Sequence, residues 1–191
     1  MSQEQLQAVR SRLGSYFNTD KSIKDQCVVT ALCLSLSEAR MRTGISKIAV
    51  VAAGDKFSIT NDGSPLPTDR AEKGFGPAET LLTDLEACHR HPGHSGLEAL
   101  CCPHGIAVVN AISASSRVIT GSGSTAHVQK YSVGQPLGNF SEVKASVNGT
   151  RLDFELDKRW ADGKFDLSAI EVEVRSLGVV LDGVDLTFKD S

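Results

Sequence analysis

Ile59-Thr60-Asn61-Asp62-Gly63-Ser64-Pro65-Leu66-Pro67 is the stretch on which the reading of this chain turns. As far as Asn61 it reads as the end of a strand. Phe57 and Ile59 alternate with polar neighbours, which is the period of an antiparallel strand with one buried face. From Asp62 the alternation stops, because Asp-Gly-Ser-Pro supplies turn geometry and withdraws a backbone donor. Upstream, residues 47–53 predict a second strand, joined to residues 56–61 through a Gly54-Asp55 turn.

Helices flank this hairpin. Residues 24–43 predict a largely buried helix, since Val28, Val29, Ala31, Leu32, Leu34 and Leu36 are too dense for one exposed face. Glu38, Arg40 and Arg42 mark its wetter end, and Gly44 stops it. Residues 5–17 begin as a short amphipathic helix that Gly14 ends. Residues 77–88 predict another, with Pro77 in the first turn and Leu81, Leu82 and Leu85 turned inward. The segment from His89 to Pro103 has no clean period and reads as a loop. Pro103 then starts a helix through Ile106, Val108, Val109, Ala111 and Ile112. Strands follow near 117–121, 126–133 and 150–157, then a helix near 167–177 and a last strand through Val184, Leu186 and Phe188. Strands mixed with helices, including hairpins, predict an α+β two-layer sandwich with helices on one face of a mixed sheet, in one domain over residues 1–191.

Composition sets limits on function. The 191 residues are 40% hydrophobic and 23% charged, ordinary values for a globular domain, and only 5% aromatic, so the core is aliphatic. A net charge of −3 and no basic stripe in the sequence argue against a nucleic-acid surface, which needs clustered positive charge. The N-terminus is polar, and the apolar stretches fall short of the ~20 residues that span a bilayer, so no membrane role is expected. Five cysteines, two of them adjacent, make a poor disulfide framework, and a reducing cytoplasmic location is expected.

Six segments in order resemble the N-terminal ATPase domain of gyrase B, the ATP-hydrolysing component of DNA gyrase. This is a Bergerat-fold (GHKL) domain of the kind found in Hsp90, MutL and histidine kinases. Residues 6–16 are similar to its opening helix and turn, and Ser37-Glu38-Ala39 to the end of its first pocket helix. Residues 78–85 and 108–113 resemble two further helices. Asn148-Gly149-Thr150 leading into Arg151-Leu152-Asp153-Phe154 resembles the strand that bears the adenine-contacting threonine, and residues 177–188 the closing helix and strand. The resemblance covers about residues 6–190. It also gives Ile59–Pro67 a meaning, as an ATP-pocket turn with its key letters changed.

The resemblance implies a ligand pocket at Thr30, Leu34, Asn61, Asp62, Gly63 and Thr150, and most of the chemistry there is replaced. The glutamate that serves the family as general base corresponds to Thr30, whose hydroxyl is too weakly basic to take a proton from water. The Mg²⁺-holding asparagine corresponds to Leu34, which offers no oxygen ligand. Without the metal, phosphoryl transfer loses its main charge neutralisation. The adenine-reading aspartate corresponds to Asn61, a weaker acceptor, with Asp62 and Gly63 in register and Pro65 in place of a family glycine. The lid glycines correspond to Ala99-Leu100-Cys101-Cys102-Pro103-His104-Gly105, where only Gly105 fits. The resemblance further implies that the family's dimer arm, transducer and DNA-cleaving parts are absent, leaving a monomer or an armless dimer. The bland reading stands beside these assignments: Asn61 and Asp62 cap a turn, and Thr150 is a strand residue.

Three of five cysteines and four of five histidines fall within residues 88–104, at the former phosphate end. Cys88, His91, His94 and Cys101 are an alternative zinc set, although their spacing matches no known pattern. Cys101, Cys102 and His104 are candidate catalytic residues, as an activated thiolate or a general acid or base. A polar loop over buried cysteines accounts for the same letters. Cys27 and Cys33 sit in the apolar helix and read as core. No cofactor is expected. The leading expectation is a pseudo-ATPase that binds a small-molecule ligand or a protein partner in the former pocket or lid. The alternative is an enzyme, for example of small-molecule biosynthesis, that uses the pocket and the Cys/His-rich lid.

Overall fold

The computed structural model describes residues 1–41, 44–68, 77–85, 87, 104–177 and 183–190, with the side chains of 37–41 and 77 left aside. Helix α1 (Gln3–Ser11) opens on a capping box in which Ser2 and Gln5 satisfy each other's backbone N–H groups. It ends at Ser11 rather than running to Gly14, which sits instead in a following 3₁₀ turn, Leu13–Ser15. Helix α2 (Ile23–Met41) is buried on every side from Cys27 to Leu36, as its apolar density predicts.

The strands are β1 (Lys47–Ala53), β2 (Lys56–Asn61), β3 (Ser113–Ser122), β4 (Thr125–Ser132), β5 (Gln135–Pro136), β6 (Ser141–Lys144), β7 (Gly149–Leu156) and β8 (Asp185–Asp190). They form one sheet in the order β5-β4-β3-β7-β2-β1-β8, with β6 paired to β4. All neighbours are antiparallel except β1 and β8, so the sheet is mixed as expected. The remaining helices are α3 (Pro77–Thr83), α4 (Ile106–Ile112) and α5 (Leu167–Ser176). The architecture is α+β, five helices against an eight-stranded sheet among the described residues.

Alternation along the strands assigns the two faces. Phe57, Ile59, Leu152, Phe154, Leu156 and Val118 are buried toward the helices, and the residues between them carry charge or hydroxyls to the other side. Phe57 and Phe154 stack with ring centroids 5.0 Å apart, on strands that place them directly opposite each other. Lys24, only 2% exposed, donates from its ammonium to the carbonyls of Gly54 and Gly163 and lies over the ring of Phe165, which ties α2 to the β1–β2 turn. Asn110 of α4 donates to Leu82 O at 2.8 Å and accepts from the Ser116 hydroxyl at 2.5 Å, joining α4 to α3 and β3. None of the described helices is long and apolar enough to cross a membrane.

Candidate nucleotide-type pocket

The site is built where β2 ends and β7 begins. Asn61 and Thr150 are register partners in this antiparallel pair, so both side chains point to the helix layer. Gly149, just before Thr150, has φ +103°, and a Cβ there would fall 2.0 Å from Asn61 O. Only glycine lets the two strands approach so closely. From above, α2 presents Thr30 and Leu34 one turn apart, at 5% and 4% exposure.

Hydrogen bonds then decide what each predicted residue can do. Asn61 is 6% exposed, and its amide oxygen accepts from Gly63 N–H at 3.2 Å, closing an Asx turn over its own strand end. Asp62 points the other way. Its carboxylate accepts from Ser46 N–H and Lys47 N–H, both at 2.8 Å, and from the Ser46 hydroxyl at 2.6 Å. Partial burial pushes this carboxyl up, but the Ser46 hydroxyl and the two amides outweigh it and hold Asp62 below the usual aspartate range. Asp62 therefore fastens the start of β1 to the end of β2. Gly63 is buried under Ile45, and a Cβ on it would meet that side chain at 2.2 Å.

Thr150, 3% exposed, has its hydroxyl 3.0 Å from that of Thr120, its register partner on β3. The Thr120 oxygen in turn accepts from Leu66 N–H at 2.7 Å. That bond holds Leu66, itself 5% exposed, in the wall of the site. The cavity left between Leu34, Ile45, Asn61, Leu66 and Thr150 measures about 10 Å³, room for about one water. So the structure brings Leu34, Asn61 and Thr150 together around one space, which Thr30 and Asp62 do not line.

Of the lid candidates, Cys88, His91, His94, Cys101 and Cys102 lie outside the described residues. His104 is described, and its ring meets Tyr16 edge-on at 4.8 Å. The helix expected to start at Pro103 starts at Ile106 instead. Gly105 is its N-cap, at φ 65° and ψ −169°, a conformation open only to glycine. His104 thus precedes the helix. Among the described residues no cluster of His, Cys, Asp and Glu side chains could hold a metal ion. Cys27 and Cys33 are both buried in α2 and belong to the core, as expected.

Comparison with known proteins agrees with this geometry. Over 97% of its length the chain is 29% identical to the gyrase B protein of Borrelia hermsii. Over 81% of its length it is 33% identical to the topoisomerase IV B protein of Caulobacter vibrioides. The chain is a distant homologue of the N-terminal region of gyrase B and topoisomerase IV B proteins. Its fold is consistent with a GHKL ATPase domain. The relatives also include the chloroplastic/mitochondrial gyrase B of rice, 28% identical over 91% of the chain. This gyrase-B-like chain spans 30% of the Borrelia protein, 23% of the Caulobacter protein and 26% of the rice protein. No protein-family model matches it.

Thr120, which links Thr150 to Leu66, is a site residue that the sequence reading does not single out, because it lies inside a predicted strand. Its signal is a hydroxyl among apolar alternates on the buried face (Val118, Thr120), a place where a polar group needs a partner.

Proposed function

We propose that this gyrase-B-like chain is a pseudo-ATPase, a single cytoplasmic domain that does not hydrolyse ATP and works by binding a protein or small-molecule partner at the former pocket or lid. The observation that carries this reading is the space behind Leu66. A cavity of about 10 Å³ walled by Leu34 and Ile45 has neither the volume for an adenine nor an oxygen donor from Leu34 for Mg²⁺. Thr30 at the general-base position and the Asn61 amide turned onto Gly63 N–H support it further. A space this small favours a protein partner over a ligand seated where adenine would lie. Modulation of a gyrase, or capture of a gyrase-directed inhibitor, falls within this reading as analogy with the relatives.

The test is isothermal titration of the purified chain with Mg·ATP beside a phosphate-release assay, and native mass spectrometry with and without gyrase proteins and an aminocoumarin. No heat, no release and an adduct with one of those partners is the expected result. Turnover of ATP above the no-protein background would refute the reading.

A further inference from the structure

A cavity far larger than the nucleotide-type pocket lies elsewhere among the described residues. It is a groove of about 560 Å³ on the opposite face of the sheet. Register fixes what lines it. One row runs across five strands as Lys130, Arg117, Asp153, Ser58 and Val51. The next row, two residues along each strand, runs Ser115, Glu155, Lys56 and Ala53, and Arg151 adjoins the first row from its other side. Val51, Ala53 and Leu137 give the groove an apolar component, and Leu137 is 68% exposed.

Charge in this groove is out of balance with the chain. Lys56, Arg117, Lys130 and Arg151 face Asp153 and Glu155, a surplus of cations on a protein whose net charge is −3. Asp153 alone serves two guanidiniums, accepting from Arg117 at 2.7 and 2.9 Å and from Arg151 at 2.7 Å. Neither arginine is fully engaged by it, since a guanidinium offers five donors. Lys130 stands directly opposite Arg117 and makes no ion pair among the described residues. Two cations facing each other across a strand pair repel, and Asp153, shared between Arg117 and Arg151, offsets this only in part.

We infer that this open face docks an acidic, partly apolar polypeptide segment of a partner protein. Carboxylates of such a segment would take the free donors of Arg117 and Arg151 and separate Lys130 from Arg117, while its apolar side chains cover Val51, Ala53 and Leu137. A polypeptide fits better than a nucleic acid, because Asp153 and Glu155 would repel a continuous phosphate backbone that a spaced run of carboxylates can avoid. The surface lies across the sheet from the pocket, so it stands independently of the fate of ATP.

The experiment is fluorescence anisotropy of the whole chain with a short fluorescein-labelled Glu/Leu peptide, a matched Lys/Leu peptide and duplex DNA, at low and high salt. The acidic peptide alone should bind, and salt should weaken it. Lys130→Glu should loosen binding by roughly threefold to tenfold and Asp153→Asn should tighten it, while Lys21→Glu on the helical side should leave it unchanged. Lys130 is exposed and makes no ion pair among the described residues, so its variant leaves the fold intact. No binding of the acidic peptide, an unchanged affinity in Lys130→Glu, or equal binding of duplex DNA would each overturn the proposal.

Discussion

Replacing Thr120 by valine keeps the shape of the side chain and removes one oxygen, and that oxygen holds two things at once. It accepts from Leu66 N–H at 2.7 Å and lies 3.0 Å from the Thr150 hydroxyl. All three residues are at most 5% exposed, so bulk solvent does not replace the lost partner. A buried N–H left without an acceptor costs about 1–3 kcal/mol, and loss of the hydroxyl pair adds about 1 kcal/mol. The expected destabilisation is therefore about 2–4 kcal/mol, read as a lower urea midpoint with an unchanged slope. Thr150→Val should cost only about 1 kcal/mol, because Leu66 keeps its acceptor. The double variant should cost less than the sum, since both changes remove the same hydroxyl pair. Amide exchange at Leu66 should quicken selectively in Thr120→Val, because that bond holds the segment over the cavity. A Thr120→Val midpoint within about 0.5 kcal/mol of wild type would refute the account. So would a Thr150→Val variant that costs as much as Thr120→Val.

Two further outcomes follow from single positions. Val133 has φ 48°, in the turn between β4 and β5, where a β-branched residue is strained. Val133→Asn should therefore raise stability by up to about 1 kcal/mol in urea melts, the relief of strain outweighing its partly buried packing. For pH, Asp62 and Asp157 both ionise more readily in the folded chain than in the unfolded one, Asp62 through Ser46 and Lys47, and Asp157 through Arg159 and Arg10. Such groups stabilise the fold above the unfolded aspartate range near about pH 4, and that stability is lost as pH falls through their lower folded values. Asp25 runs the other way, since burial raises it, and it offsets part of the acid loss. The urea midpoint should fall on acidification below about pH 4, and Asp62→Asn should lower the midpoint at neutral pH and flatten that fall.

How much of this is legible in the sequence depends on whether a feature is local. The ends of β1 and β2 fall where alternation and the Gly54-Asp55 turn place them, because a one-sided strand writes its burial into every second letter. Strands β5 and β6 escape such a reading, being two and four residues long, too short for a period to declare itself. The start of α4 is misplaced by it because proline is a common helix opener, whereas the backbone turns at Gly105. The direction of Asp62 is beyond its reach: the partners lie 15 and 16 residues upstream and meet it only through the β1–β2 register. The cations of the open face are all visible as letters. Their juxtaposition is not, since Lys130, Arg117 and Arg151 come from three strands and only register sets Arg151 in the row next to that of Lys130 and Arg117.

The closed pocket and the charged face are linked by what each side of the sheet has been given to do. A nucleotide pocket of this type keeps polar groups buried and waiting for a ligand, which costs stability until the ligand supplies hydrogen bonds. Here Asn61, Thr120 and Thr150 meet that need from within, through Gly63 N–H, Leu66 N–H and each other. Leu34 and Leu66 turn the remaining wall into core. Leu66, held by the Thr120 hydroxyl, forms part of that wall. The other face shows the reverse condition. Its guanidiniums have donors to spare, two like charges stand opposed, and Leu137 is exposed beside them. Binding energy is available where polar groups are unsatisfied and accessible, not where they are already paired and covered. By that criterion the helical side of the sheet is the stable scaffold, and the side bearing Arg117, Lys130 and Arg151 is where a partner gains most.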